Sequence, residues 1–217
     1  MLRIKRAHLP PLREEVFALR YRSYRKEAAI ARHPSEAFED EYDYQSNHIL
    51  WALTFEERVV GSIRTTWFEP GANELIPEMR TYSEEIAELV PEGCRLLSGN
   101  RLVTDPDLSL MSAQFVILLL RHHMMVAALK ADWAVAAARI NHVAFYRRLL
   151  MLEKASSPKM YPGLLCRMYL MACDFRANID QVLLNTPMLR GRGYERLLLD
   201  NDYADVWEIG LPVEVHA

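Results

Sequence analysis

Five charged side chains in the first half of the chain have the types that bind a small carboxylate-bearing ligand. They are Arg20, Asp40, Asp43, Arg64 and Arg101. An arginine binds a carboxylate through two parallel hydrogen bonds, and an aspartate can hold an ammonium group or pass its proton to solvent. Because buried ion pairs add little net stability, we expect some of these groups to face a ligand, with Arg20 and Arg64 the strongest candidates. The alternative is that the five charges neutralise one another and only hold the fold.

Helices and strands must hold these residues in position. A stretch without Gly or Pro predicts an amphipathic helix over residues 12–31, which carries Arg20. Two apolar segments, residues 48–55 and 59–67, flank a polar turn and predict a hairpin whose second strand carries Arg64. One favoured arginine is therefore expected on a helix and the other on a strand.

The second half alternates strand and helix patterns, which is typical of an α/β protein. The predicted elements are a helix over 82–89 with Ser83 as N-cap, a strand over 94–104, a helix from the N-cap Ser109 to about Lys130, a strand over 133–138, a helix over 141–150 and a strand over 164–175. Within the strand over 94–104, Ser98-Gly99-Asn100 interrupts the apolar pattern. A glycine there predicts either a β-bulge or a close approach of the backbone to another group.

Composition is that of an ordinary globular protein. The chain has 217 residues, 51% hydrophobic and 25% charged, and we expect one domain over residues 1–217, in which residues 176–217 form a C-terminal helix and a partly mobile tail. The longest apolar run, Phe115 to Leu120, is too short for a membrane span, and no secretory signal is visible. We therefore expect a cytoplasmic protein without a transmembrane segment.

Cysteine and histidine spacing gives no sign of a metal site. The three cysteines are Cys94, Cys166 and Cys173. They lack paired spacing, so we expect neither a disulfide framework nor a metal centre. His122 and His123 are adjacent and cannot present two ligands on one helical face. The segment Arg121-His122-His123 is interpreted as the solvated or partner-facing side of the long helix.

Charge is distributed in blocks. Residues 1–35 are mainly basic, with nine Lys or Arg and three Asp or Glu. Residues 36–92 are acidic, with three Lys or Arg and fourteen Asp or Glu, and residues 93–196 are basic again, with fourteen Lys or Arg and seven Asp or Glu. Such blocks indicate internal pairing or separate faces for separate partners. A net charge of −3 argues against a nucleic-acid partner.

The order of elements and three local segments resemble the GNAT superfamily of N-acyltransferases. Residues 59–66 (Val-Val-Gly-Ser-Ile-Arg-Thr-Thr) resemble its "vvG..Rl" strand, and residues 96–103 resemble the central bulged strand that pairs with a pantetheine arm. Residues 138–150 are similar to its strand-end Asn and following Tyr, here Asn141 and Tyr146. The resemblance implies an α/β (α+β) fold with a mixed central sheet, a bulged central strand and flanking helices.

A narrower resemblance covers the first half. Arg20, Tyr24, Asp40, Asp43, Arg64 and Arg101 are similar in order and approximate spacing to the set that lines the site of acyl-homoserine-lactone (autoinducer) synthases. The same arrangement occurs in their relatives, the long-chain N-acyl amino acid synthases. The resemblance implies an N-acyltransferase that moves a fatty acyl group from acyl carrier protein, or acyl-CoA, to an amino acid or a related small amine.

Three departures refine this expectation. Autoinducer synthases, which use S-adenosylmethionine, have a Trp after the first helix, and none lies here between Tyr24 and Trp51. Their Glu three residues before the last arginine is Ser98 here. Both departures favour the N-acyl amino acid synthases. The loop after the bulged strand carries Asp105 and Asp107 and no glycine, unlike a cradle for a CoA pyrophosphate, which favours acyl carrier protein as donor.

The resemblance also implies roles for individual residues. Tyr146, with Phe145 as the alternative inward aromatic, is the candidate proton donor to the departing thiolate, and a backbone N–H near Gly99 is the candidate donor to the thioester oxygen. Asp43 is the candidate for taking the amine's proton. The residues expected to bind substrate are Arg20, Tyr24, Asp40, Arg64, Ser98, Asn100, Arg101 and Asn141. We expect no metal and no bound cofactor; phosphopantetheine or CoA enters with the acyl group as cosubstrate.

Basic residues at the N-terminus and on the helix predicted over 141–150 are candidates for docking an acidic carrier protein. They are Arg3, Lys5, Arg6, Arg147 and Arg148. A non-catalytic module that binds an acylated carrier or a lipid is the alternative from a different class. Methionines and apolar residues between Leu110 and Leu129 either line an acyl tunnel or form plain core, and the core interpretation is favoured. The oligomeric state stays open.

Overall fold

The computed structural model describes residues 2–189 and 206–208. Its strands are β1 (Leu2–Arg6), β2 (His48–Phe55), β3 (Arg58–Phe68), β4 (Leu96–Thr104), β5 (Trp133–Ala138), β6 (Glu153–Lys154), β7 (Lys159–Met160), β8 (Arg167–Asp174) and β9 (Val206–Glu208). Its helices are α1 (Leu12–Lys26), α2 (Met79–Leu89), α3 (Ser112–Lys130), α4 (Val143–Leu150) and α5 (Phe175–Asn185). The predicted α/β class is confirmed. Most of the predicted C-terminal tail lies outside the described residues.

The strands form one mixed sheet that opens into a fork near its centre. Their order is β6-β8-β5-β4-β3-β2-β1-β9, and β7 pairs with β8 outside this path. β4 and β5 are parallel neighbours connected through α3, but their pairing ends at Ser98 with Val135. Beyond that pair β4 continues beside β3 and β5 continues beside β8. The gap between β4 and β5 is where a ligand can enter the sheet.

Helices cover both faces of the sheet because its central strands are apolar on both sides. Trp51 and Leu53 of β2 belong to the core that contains α3, whereas Leu50 and Ala52 belong to the core that contains α1. Successive side chains of a strand point to opposite faces, so both sets are buried at once. This explains why β2 is an almost unbroken apolar run.

The first two helices begin or end where the sequence pattern does not predict. α1 ends at Lys26 rather than at Ala31, because Ala28 has a left-handed backbone with φ of 51° that a helix cannot continue through. α2 begins at Met79, so Ser83 lies inside the helix and is not its N-cap. Propensity alone could not indicate either boundary.

Three further differences lie at strand and helix boundaries. α3 begins at Ser112 after a 3₁₀ segment, so Ser109 is not its N-cap. β8 is shorter than the predicted strand over 164–175. The sequence pattern does not reveal β1, whose buried Leu2 and Ile4 alternate over only five residues and pair with β2 and β9.

Within the segment Arg121-His122-His123 both histidines are buried and Arg121 is half-buried, contrary to the prediction of a solvated or partner-facing side. His122 and His123 are each only 5% exposed. α3 packs against β3 and β4 on one side and approaches α5 on another, which leaves little of its surface for solvent. Among the described residues, α3 is long and apolar enough to cross a membrane, but more than half of it is buried inside the protein, as in a core helix.

Candidate functional site

A cavity of about 540 Å³ lies at the fork between β4 and β5. The predicted site residues that line it are Tyr24, Arg64, Gly99, Asn100, Arg101 and Tyr146. They come from α1, β3, β4 and α4, so residues far apart in sequence meet at the point where the sheet separates. A pocket between diverging strands is a common position for a ligand site.

Behind the cavity wall, the five predicted charged residues form one ion-pair network. Arg20 Nη1 donates to both carboxylate oxygens of Asp43 at 2.9 Å, and Arg64 Nη1 lies 2.9 Å from Asp43 Oδ1. Arg64 Nη2 donates to Asp40 Oδ2 at 3.1 Å, and Arg101 Nη2 donates to the same oxygen at 2.7 Å. The three guanidinium groups outnumber the two carboxylates, which leaves one positive charge within this set.

A short 3₁₀ turn holds the two aspartates at their spacing. Asp40 precedes the turn Glu41–Asp43 and accepts the Tyr42 N–H at 3.0 Å, while its own N–H donates to Asp43 Oδ2 at 3.0 Å. This reciprocal pair of bonds is a capping box. The two carboxylates are therefore fixed by the backbone as well as by the arginines.

Both aspartates are held in their charged form and lie off the cavity. Burial alone would raise their pKa values, but Arg64 and Arg101 hold the pKa of Asp40 well below its usual range, and Arg20 with Arg64 lowers the pKa of Asp43. This position argues against the predicted role of Asp43 as proton acceptor. Arg20 is likewise buried behind the wall with Asp43 as partner, so of the two favoured arginines only Arg64 lines the cavity.

The β-bulge of β4 lies at Arg101 and Leu102 rather than at Ser98-Gly99-Asn100. These two residues stand opposite the single residue Ile63 of β3, and Arg101 has a left-handed backbone with φ of 54°. The Arg101 guanidinium carbon lies 4.7 Å from the ring centre of Phe38, within reach of a cation–π contact. The bulge therefore sets the direction of a charged cavity residue.

At Gly99 the sequence predicts either a β-bulge or a close approach of the backbone to another group, and the structure has the close approach. A Cβ at this position would lie 2.9 Å from Cε1 of His123, a distance that real Cβ contacts do not reach. The His123 ring is buried beneath β4, with Nδ1 3.0 Å from Thr65 Oγ1, and burial lowers its pKa to about 4. A neutral imidazole therefore occupies the space that a side chain at position 99 would need.

Two aromatic residues of α4 reach the cavity. Tyr146 and Phe145 both line it, with their ring centroids 5.3 Å apart in an edge-to-face arrangement. Burial raises the pKa of Tyr146, so its phenol stays protonated, as a proton donor requires. Asn141 is exposed and does not line the cavity, where His142 stands instead. The predicted substrate contact of Asn141 therefore finds no support in its position.

Ser98 contacts the cavity wall through another residue. Its side chain is fully buried and does not line the cavity. Asn100 Nδ2 donates to Ser98 Oγ at 3.0 Å, while Arg64 Nε donates to Asn100 Oδ1 at 2.6 Å. Ser98 thus helps to orient the amide that in turn holds Arg64.

Glu78 and Tyr161 line the cavity and are absent from the predicted set. Glu78 is fully buried just before α2, and burial raises the pKa of its carboxyl group. The Tyr161 hydroxyl donates to Glu78 Oε1 at 3.5 Å. The sequence signal for Glu78 is weak: it is a single acidic residue in the otherwise apolar segment Leu-Ile-Pro-Glu-Met over 75–79. Tyr161 carries no signal of its own.

A second, narrower cavity of about 20 Å³ lies behind Gly99 and Tyr146, which line both cavities. Its remaining walls are almost entirely apolar and come from the sheet and from α3, α4 and α5. Met124 of α3 lines it and is also part of the main core. A small, mostly apolar pocket thus lies inward of the main cavity.

The predicted docking cations do not gather at the fork. Arg3, Lys5 and Arg6 lie on β1, which stands between β2 and β9, three strands from β4. Arg147 on α4 pairs with Glu153 at 2.9 Å. The cations that line the cavity besides Arg64 and Arg101 are Lys26 and Arg139, and the latter pairs with Glu27.

Residues 15–174 match the family described as "N-acyl amino acid synthase FeeM". The range contains every predicted site residue. The sequence resemblance to N-acyl amino acid synthases is thereby confirmed. No curated protein matches the sequence.

Solved structures of acyl-transferring enzymes share the fold. FeeM, an N-acyl amino acid synthase from uncultured soil microbes, has 20% identity and a TM-score of 0.67, over 86% of this chain and 97% of that chain. TofI, in a ternary complex with an inhibitor and MTA, has 16% identity and a TM-score of 0.60, over 86% and 97%. MesI, a CoA-dependent acyl-homoserine lactone synthase, has 16% identity and a TM-score of 0.55, over 84% and 89%.

Proposed function

The chain belongs to the FeeM family of N-acyl amino acid synthases and is an N-acyltransferase, and from this premise we propose that it moves a fatty acyl group from acyl carrier protein to the amine of an amino acid. We propose further that it acts in the cytoplasm as one domain over residues 1–217. The observation that carries the proposal is the cavity at the fork, which has Arg64 and Arg101 in its wall and an apolar continuation.

The charge of the cavity supports an amino acid as acceptor. Arg64 and Arg101 both line it and share Asp40, while behind it Asp43 pairs with both Arg20 and Arg64. The positive charge left over in this set is compensated when a carboxylate binds at the wall. A planar guanidinium suits that contact better than an ammonium would.

The apolar side of the cavity supports a fatty acyl chain. The apolar lining residues include Leu102, Val116, Phe145, Leu164 and Met168. The narrower cavity behind Tyr146 extends this surface toward the core. Transfer of each methylene group from water to such a surface contributes about 0.8 kcal/mol, so even a partly buried long chain binds with useful affinity.

The loop after β4 supports acyl carrier protein as donor. Asp105 is buried, lies 3.1 Å from Arg58 and accepts the Asp107 N–H at 3.0 Å. That N–H is therefore occupied, whereas a pyrophosphate cradle needs free backbone N–H groups. Lys26 lines the cavity and donates to the Pro106 carbonyl at 2.8 Å. One lysine suits the single phosphodiester of phosphopantetheine better than the several phosphate groups of CoA.

In the proposed reaction the neutral amine attacks the thioester carbonyl carbon, the C–N bond forms and the C–S bond breaks. Tyr146 is proposed to donate a proton to the departing thiolate, which is consistent with its place in the wall and its raised pKa. The strand β4 lacks β5 as a neighbour beyond Ser98, so its backbone there can pair with the pantetheine arm or stabilise the oxyanion. Holding both substrates in one cavity supplies much of the rate enhancement.

Mass spectrometry of lipid extracts from a bacterial host that expresses the protein tests this function. We expect a ladder of N-acyl amino acids that is absent from the same host with empty vector. With purified protein, acyl carrier protein loaded with a given chain should give a higher kcat/KM than the CoA thioester of the same chain. A lactone that appears only with S-adenosylmethionine would indicate an autoinducer synthase. A folded protein inactive with both donors and all standard amino acids would indicate a non-catalytic module.

A further inference from the structure

Glu78 is a buried carboxyl group in the wall of the cavity. Its residue is fully buried and lines the cavity, and its backbone carbonyl anchors the start of α2 by accepting the Tyr82 N–H at 2.9 Å. Among the described residues, no ion pair includes Glu78. Asp40 and Asp43, by contrast, are each paired with two arginines.

The two carboxyl oxygens of Glu78 differ in their surroundings. Oε1 accepts a hydrogen bond from the Tyr161 hydroxyl at 3.5 Å. Oε2 is buried and has no hydrogen-bond partner among the described residues. A buried oxygen without a partner costs about 1–3 kcal/mol, and a ligand in the cavity that supplies the missing donor would remove that cost.

An amine is the ligand group that fits this oxygen. Arg64 and Arg101 stand in the same cavity and suit the carboxylate of an amino acid. With the carboxylate at the arginines, its α-amine lies only two bonds further along the molecule. A neighbouring carboxyl group that can accept an N–H then completes the recognition of a zwitterion.

We propose that Glu78 is the catalytic base, which takes a proton from the acceptor's ammonium group through Oε2; the proposal rests on the function proposed above. The ammonium nitrogen carries three protons. One passes to Glu78 and from there to solvent, and the nitrogen lone pair then forms the C–N bond to the thioester carbon. A second proton leaves the nitrogen as the C–S bond breaks and is balanced by protonation of the thiolate, and the third remains on the amide.

The surroundings of Glu78 make its carboxylate a stronger base than an exposed one. Burial raises the pKa of its carboxyl group, and the Ser98 hydroxyl and the charges of Arg64 and Arg101 oppose that shift. A base whose pKa approaches the working pH is more effective than one held far below it. The titratable or charged groups that act electrostatically with Glu78 are Tyr42, Arg64, Tyr82, Arg101, Tyr146 and Tyr161.

The Glu78→Gln variant tests the proposal through the pH dependence of kcat/KM. In the wild type, kcat/KM for an amino acid should rise as Glu78 loses its proton and then level off. In E78Q, kcat/KM should keep rising with pH until the pH reaches the pKa of the free amine. Near pH 7, kcat/KM of the variant should be about 10²–10⁴-fold below that of the wild type. Hydroxylamine is already neutral near pH 7 and needs no base, so its rate should change less than about tenfold.

The proposal would be overturned if kcat/KM of E78Q fell equally for the amino acid and for hydroxylamine. It would also be overturned if the pH dependence of kcat/KM with the amino acid were the same in E78Q as in the wild type. Glu84→Gln makes the same chemical change on the exposed surface of α2 and should leave both rates unchanged. If E78Q does not fold, Tyr161→Phe removes the hydroxyl that donates to Oε1. That loss should raise the pKa of Glu78, so the rise of kcat/KM with pH should occur at higher pH than in the wild type. A rise at the same pH as in the wild type would contradict the assignment. A wild-type enzyme inactive with every amine would contradict the proposed function instead.

Discussion

The imidazole of His123 lies directly against Gly99, so close that a Cβ on residue 99 would stand 2.9 Å from the ring's Cε1. The contact joins α3 to β4 at the fork, where the cavity and the narrower apolar cavity share Gly99 in their walls. The glycine is required by packing of the helix against the sheet. Its φ is not in the left-handed region, so the constraint is steric and not conformational.

Gly99→Ala should lower the free energy of unfolding by about 1–3 kcal/mol, because the added methyl group meets a buried ring that has little room to move. Urea denaturation measures the loss. In the double variant Gly99→Ala/His123→Ala the ring is gone, so the two effects should not add. A double variant whose loss equals the sum of the single losses would show that the contact is not the cause.

Arg64→Ala should destabilise the protein by about 3–5 kcal/mol, because Asp40 and Asp43 then keep buried charge without their shared partner. Arg80→Ala is the matched control: Arg80 and Glu41 form an exposed pair, whose loss should change stability by less than about 1 kcal/mol. Chemical denaturation compares the two. If Arg64→Ala lost no more stability than Arg80→Ala, the ion-pair network would add no stability.

Arg64→Lys keeps the charge and removes the planar fork. If Arg64 binds the acceptor's carboxylate, the KM of the R64K variant for the amino acid should be about tenfold or more above that of the wild type, since a charge-assisted hydrogen bond contributes about 1.5–3 kcal/mol. Steady-state kinetics at saturating acyl donor measures this. A KM equal to that of the wild type in a folded R64K variant would place Arg64 outside acceptor binding.

Acid should weaken the fold through Asp40 and Asp43. Their folded pKa values lie below the ordinary value of about 3.9, so the stability they contribute is fully present above that pH and is lost as pH falls further. Asp43→Asn should flatten the pH dependence of stability below pH 4, as measured by urea midpoints. A loss between pH 6.5 and 4 comes instead from the histidines, above all from His122 and His123, whose pKa values burial lowers to about 4. Burial also lowers the pKa values of His48 and His142, which add a loss of the same sign.

Tyr146→Phe should reduce kcat about 10²-fold or more while leaving the affinity for the acyl donor unchanged, because only the phenolic proton is lost. Single-turnover kinetics and donor titration separate the two quantities. Tyr44→Phe, at an exposed tyrosine away from the cavity, is the control and should have the activity of the wild type. An unchanged kcat in Y146F would remove this phenol from the mechanism.

Local patterns predicted much of the chain because they depend on neighbours in sequence. The strand over 133–138 has the predicted bounds, and the hairpin strands differ from prediction by one residue at most. The spacing of Asp40 and Asp43 is also local, since it is the spacing of a capping box. The helix ends at Lys26 and Met79 differ from prediction because tertiary contacts and backbone conformation, not composition, decide where those helices stop or start.

The sequence by itself determined the set of charges, the order of the main helices and strands and the family, because each follows from residue types read along the chain. Only the tertiary structure decided which of those residues reach the cavity. Arg20 and Arg64 are equivalent as arginines, but one faces Asp43 behind the wall and the other lines the cavity. Glu78 and Tyr161 meet across 83 positions of sequence because α2 and the segment before β8 pack against the same sheet. Proximity of that kind depends on long-range packing, which no local pattern encodes.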